Sequence, residues 1–176
     1  LSGGRLTAGT ITIASTGPGG LTWSGGTLDA ETLHIHANGT MTVSDRWTYD
    51  GVLTVDGGSL DVTIGPTSSL TIDSAVPGAT GMLSGTGQLS ALWQQVGYEG
   101  TGTFIQTGGT NSVSNPLFLG YLPGSSGTYE LSGGRLTAGT ITIASTGPGG
   151  LTWSGGTLDA ETLHIHANGT MTVSDR

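Results

Sequence analysis

Two histidines, His34 and His36, stand at i and i+2 in the stretch LHIHA, and the same pair returns as His164 and His166. On an extended chain successive side chains alternate between two faces, so both imidazoles of a pair share one face. Two imidazoles can supply half of a Zn²⁺ or Cu²⁺ site, and the nearest acidic residue able to add a ligand is Glu31, or Glu161 in the second pair. Two solvated imidazoles on a polar face account for the same spacing. The four histidines are therefore weak metal candidates, and the sequence assigns no metal site and no cofactor.

The close acidic pair is Asp29 with Glu31, repeated as Asp159 with Glu161. Polysaccharide-cleaving sites need clustered carboxylates or a Ca²⁺ site on one face. Further acids scatter along the chain, among them Asp45, Asp50, Asp56, Asp61, Asp73, Glu99 and Glu130. No Ser-His-Asp order, HExxH or phosphate-binding loop occurs, so the chain does not read as an enzyme. Trp47, Tyr49, Trp93 and Tyr98 fall near irregular segments. Exposed there, they are candidates to stack on sugar rings; the competing reading has them filling the interior at wide turns. Asn38 and Asn168 begin N-glycosylation sequons, each followed by Gly-Thr.

These residues must be held by short strands. TYELSGG, TITIAST and LHIHA alternate apolar with polar residues, and β-branched residues are frequent. That two-residue period reads as half-buried strands. No stretch sustains a 3.6-residue period; the nearest to one is SALWQQVG at 90–97. Glycine accounts for 34 of the 176 residues and recurs where strands must turn, as expected of corners. The paired corner glycines are Gly3 and Gly4, Gly25 and Gly26, Gly57 and Gly58, Gly108 and Gly109, Gly133 and Gly134, and Gly155 and Gly156.

Two repeats are nested. Residues 131–176 copy residues 1–46 without a change, an offset of 130. Within residues 1–130, corner glycines recur every 22 to 32 residues, giving about five short units. Strands this short with this repeat predict an all-β, parallel, right-handed β-helix (β-solenoid) of about five coils per 130 residues, with essentially no helix. Residues 1–130 form one long unit and 131–176 begin the next, in one continuous solenoid. Aligned units place Val55, Leu83, Leu131 and Trp153 in one inward column, and Leu60, Leu89, Leu136 and Leu158 in another. Gln106 and Asn111 take the same two positions on the coil at Gly108 and require buried partners.

The segment GYEGTGTFIQTGGTNSVSNPLFLGYLPGSSGTYELSGGRLTAG, at 97–139, resembles the Gly/Thr/Ser-rich repeats of large bacterial surface proteins, notably autotransporter-type passenger domains and related adhesins. The resemblance implies a right-handed β-helix, export to the cell surface or beyond, and a structural or adhesive role. The translocator barrel of a complete autotransporter has no counterpart in these residues.

The chain carries a net charge of −8 and no Lys; its basic residues are Arg5, Arg46, Arg135 and Arg176. Without a basic patch it is not expected to bind nucleic acid. No apolar run approaches the ~20 residues that cross a bilayer, so membrane insertion of this segment is not expected. Cys is absent, which excludes disulfides and thiolate metal sites. The first residues, LSGG, match the second half of a strand that is whole only at GTYELSGG, and the last stop where the first copy continues into WTYDGVL. That is the pattern of a window on a longer array. The expected function is an extracellular filament or surface stalk of stacked coils, whose partner is the chain itself. An adhesin that binds glycans through the aromatics is the alternative, and a polysaccharide-degrading β-helix enzyme a third.

Overall fold

The computed structural model describes residues 2–44, 46–62, 68–75 and 78–174. Asp45, one of the scattered acids, and the chain end at Asp175 and Arg176 lie outside the described residues. Among the described residues there is no helix, and the sixteen strands join one sheet in which every strand pair is parallel. The stretch SALWQQVG contributes to strands Gln88–Ala91 and Trp93–Val96.

The strands wind into a β-solenoid of about seven turns. Each complete turn lays one strand segment on each of three faces. The first face runs from the end of Ser2–Ile13 through Gly25–His36, Val52–Asp56 and Ala79–Ser84, then the beginnings of Thr101–Leu119 and Ser126–Ile143, to Gly149–Trp153 and Gly169–Val173. The second contains Gly19–Trp23, Gly39–Val43, Ser59–Val62 and Gln88–Ala91, followed by the middle of the two long strands. The third contains Arg46–Tyr49, Ser69–Ile72 and Trp93–Val96, then the ends of the long strands.

Period-2 alternation sends every second side chain inward, and in-register stacking turns those positions into columns. The two columns expected from the sequence are the ones that form. Val55, Leu83, Gln106, Leu131 and Trp153 are successive register partners, as are Leu60, Leu89, Asn111, Leu136 and Leu158. Gln106 and Asn111 are fully buried, and their partners come from other columns. The Tyr129 hydroxyl donates to Gln106 Oε1 at 2.6 Å and accepts from Asn111 Nδ2 at 2.9 Å. Asn111 Nδ2 also donates to Gln94 Oε1 at 2.9 Å, and Gln106 Nε2 donates to the Arg135 carbonyl at 3.0 Å. The interior is thus apolar along most of its length, with one polar crosslink near the sixth turn.

At one corner, glycines stand on glycines. Gly109, Gly134 and Gly156 have φ of +68°, +76° and +73°. A Cβ on Gly134 would lie 2.4 Å from the Gly109 carbonyl, and one on Gly156 2.6 Å from the Gly134 carbonyl. A side chain at this corner meets both the left-handed backbone and the coil beneath it.

The verbatim copies pair within themselves in the same way: Ile11 with Leu33 and Leu21 with Met41, then Ile141 with Leu163 and Leu151 with Met171. They do not take the same faces. Thr10–Ile13 lies on the first face, whereas its copy Thr140–Ile143 lies on the third; Gly20–Trp23 lies on the second, and its copy on the first. One 130-residue unit therefore makes about five and two-thirds turns, slightly more than the expected five. Every face asks only for an apolar residue inward at each second position, so a two-turn module fits any of them.

Candidate functional site

The outward side of the third face carries the aromatic candidates. Register pairs Arg46 with Ser69 and Ser69 with Trp93, and it aligns Thr48, Thr71 and Gln95 two residues along. The Thr71 hydroxyl donates to Gln95 Oε1 at 2.8 Å. These residues, with Tyr98 and Tyr121, line a groove of about 460 Å³ that crosses four coils. Its lining rings, Trp93, Tyr98 and Tyr121, are half-buried and are linked through Phe118 beside them. Trp93 lies parallel to Phe118 at 6.5 Å between centroids, Phe118 meets Tyr121 edge-on at 4.6 Å, and Tyr121 stacks on Tyr98 at 5.3 Å.

Trp93 and Tyr98 are thus brought together, but Trp47 and Tyr49 are not. Both of the latter are buried, at 2% and 1% exposure, which corrects their reading as exposed glycan contacts. Period 2 puts positions 47 and 49 on the inward side of the third face, where Trp47 stands over Leu70 and Tyr49 over Ile72. Trp47 meets Trp23 edge-on at 6.0 Å, and the Tyr49 hydroxyl donates to the Ala30 carbonyl at 2.8 Å. Burial pushes the Tyr49 and Tyr129 phenols well above their ordinary pKa. Phe118 and Tyr121 were not among the candidates the sequence singled out. A signal for Tyr121 exists: VGY at 96–98 and LGY at 119–121 repeat a Gly-Tyr corner, with φ of +69° at Gly97 and +72° at Gly120.

The second cluster lies on the first face. His34 and His36 project outward from Gly25–His36, their rings stacked at 3.8 Å and 26°. Strand Val52–Asp56 on the next turn sets Asp56 beside His36, and the turn after sets Ser84 beside Asp56. The Ser84 hydroxyl donates to Asp56 Oδ1 at 2.9 Å. One ligand atom from each of His34, His36 and Asp56 lies within 4.8 Å of the other two. Burial, aided by neighbouring His36 and opposed by Asp56, holds the His34 pKa below the usual histidine value. Glu31, the acid nearest in sequence, is not in this group. Asp56 was legible only as one scattered acid, because its approach depends on coil length and not on sequence distance.

The remaining candidates stay apart. Asp29 forms an ion pair with Arg5 across one coil step, as Asp159 does with Arg135; the carboxylates face guanidinium groups rather than forming an acidic pair for catalysis. Asn38 and Asn168 are exposed in turns, and Asn38 has φ +67°. His164 and His166 are exposed on the last full turn, where no carboxylate of the described residues stands in the place of Asp56.

The fold defines the class: a parallel β-solenoid with a ring-lined groove on one face and a histidine-carboxylate cluster on another. No known protein family, curated protein or solved structure matches this chain. Among the described residues no helix is long and apolar enough to cross a membrane.

Proposed function

We propose that the protein is a structural component of an extracellular filament or surface stalk, in which β-solenoid coils stack end to end. One observation carries this reading. Leu33, Ile35 and Val43 are fully buried where the next turn covers them, while their copies Leu163, Ile165 and Val173 are 40%, 48% and 58% exposed on the last turn. The first turn mirrors this, with Leu6 at 36% exposure against 0% for its copy Leu136. The strand edge at Leu163, Ile165 and Val173 is thus of the kind that a further coil of this repeat covers at Leu33, Ile35 and Val43. Such an edge templates a further strand unless it is covered. The residues that cover the first copy, from Trp47 to Leu60, show what suits the exposed end.

The surface fits a mechanical role. Charged residues are 9% of the chain, and outward positions are rich in Thr and Ser. Electron microscopy and fibre diffraction of purified protein test the reading. Filaments with a ~4.8 Å meridional spacing and an axial repeat of roughly 27 Å per long unit are expected from the turn count. Monodisperse particles at high concentration, with no strand-spaced reflection along an axis, would overturn it.

A second reading is adhesion, favoured by the groove lined by Trp93, Tyr98 and Tyr121. Aromatic faces beside hydroxyl and amide groups suit sugar rings. Glycan-array binding that disappears in Trp93→Ala, with unchanged thermal stability, is the expected outcome; binding unaffected by Trp93→Ala and Tyr98→Ala excludes the groove.

A further inference from the structure

We propose that His34, His36 and Asp56 form a binding site for a divalent first-row transition ion such as Zn²⁺, one that staples two adjacent turns together. All three ligands belong to one chain, so the site does not depend on filament formation.

The ligand set is of the right kind. Two imidazoles and one carboxylate make a three-ligand protein site with room for water, a pattern used by Zn²⁺ and its neighbours in the first row. The spacing is also suitable. His34 and His36 share a face because they are two apart on one strand, and Asp56 is the register partner of His36 on the next. The three ligand atoms lie within 4.8 Å of one another. Ligands that share an ion at about 2.0–2.2 Å sit somewhat closer than that, a distance that side-chain rotation supplies.

Three further observations point to a ligand. His34 Nε2 is buried and has no hydrogen-bond partner; a buried polar atom without one calls for an explanation such as an ion. Ser84 engages Oδ1 of Asp56 and leaves Oδ2 to coordinate, the kind of outer partner that orients a metal ligand. A pocket of about 290 Å³, lined by Ala14 to Gly17 together with His36 and Asp56, opens onto the cluster and gives an ion a way in.

Such an ion ties Gly25–His36 to Val52–Asp56 and stabilises their interface only when both turns are in place. The second copy is a built-in control. His164 and His166 have the same sequence context, but no acid of the described residues follows them on a further turn.

The test is calorimetric and thermal titration of the whole chain with ZnCl₂ at neutral pH, under conditions where sedimentation shows a monomer. We expect one tight site per chain and a melting temperature that rises with free Zn²⁺. Asp56→Asn retains an acceptor for Ser84 and should weaken the site at least about tenfold. His164→Gln with His166→Gln should leave it unchanged. Co²⁺ in place of Zn²⁺ should give a ligand-field spectrum that Asp56→Asn alters. If circular dichroism shows Asp56→Asn unfolded, His36→Gln carries the same expectation. Absence of any shift with excess Zn²⁺, affinity unchanged in both Asp56→Asn and His36→Gln, or loss of the site on mutating the second histidine pair would each overturn the proposal.

Discussion

Leu33 and Leu163 are the same residue in the same 46-residue text, and the stacked turns give them different surroundings. Leu33 lies between register partners Ile11 and Leu53 and is fully buried. Leu163 stacks on Ile141 alone and is 40% exposed. Truncating Leu33 to Ala removes buried methyl groups and leaves a cavity closed on both sides. Burying a leucine side chain contributes about 2 kcal/mol of transfer free energy, and the cavity term lifts the usual cost of Leu→Ala to about 3 kcal/mol or more. At Leu163 only about 60% of the transfer term applies, and solvent fills the space, so the expected cost is ~1 kcal/mol. For a chain of this size the two variants should melt roughly 6–12 °C and 2–4 °C below the parent. Urea unfolding gives the free energies, with sedimentation used to keep all three proteins monomeric. Amide exchange should quicken throughout the stack in Leu33→Ala but only near the last turn in Leu163→Ala. Equal losses in the monomer would refute the placement of Leu33 inside the stack and Leu163 at its end. Equal losses appearing only at concentrations where the chain associates would instead mean that Leu163 becomes covered, as end-to-end stacking requires.

Other variants probe single features. Tyr129→Phe keeps the ring stacked on Phe104 but removes the hydroxyl that serves Gln106 and Asn111; a loss of about 1–3 kcal/mol is expected in urea unfolding, and adding Gln106→Leu should cost less than the sum of the single changes. Gly134→Ala should cost more than Gly4→Ala, its twin. Both have positive φ, but a Cβ at 134 meets the Gly109 carbonyl at 2.4 Å while one at 4 meets nothing within 4 Å; about 1–2 kcal/mol for the backbone alone is expected at Gly4, and at least that again from the clash at Gly134. Trp47→Ala should lower stability by roughly 3–5 kcal/mol as a core truncation, measured by thermal unfolding, whereas Trp93→Ala on the outer face should shift it by less than about 1 kcal/mol.

Local chemistry was sufficient for the strands and their columns. Alternation of period 2 assigns each residue to one side, and corner glycines mark where a turn of the solenoid closes. Aligning those corners therefore places Val55, Leu83, Leu131 and Trp153 over one another, and Leu60, Leu89, Leu136 and Leu158 likewise, without coordinates. It also sets Gln106 and Asn111 inside, although not that Tyr129, from another column, would join them.

Relations between turns are different, because they depend on how much chain each corner consumes. The segments joining strands vary in length, so sequence distance does not convert to a fixed number of steps around the stack. For this reason Asp56, twenty residues beyond His36, is its neighbour, while Glu31 on the same strand is not. The same variation concealed the inward aim of Trp47 and Tyr49 and the meeting of Trp93 and Tyr98 with Phe118 and Tyr121. It also let one 46-residue text occupy two sets of faces. The sequence by itself determined which side chains of a strand share a side, since that is a property of consecutive residues. Only the tertiary structure decided which residues outside those corner-aligned columns meet across turns, since that is set by the summed path of every corner between them.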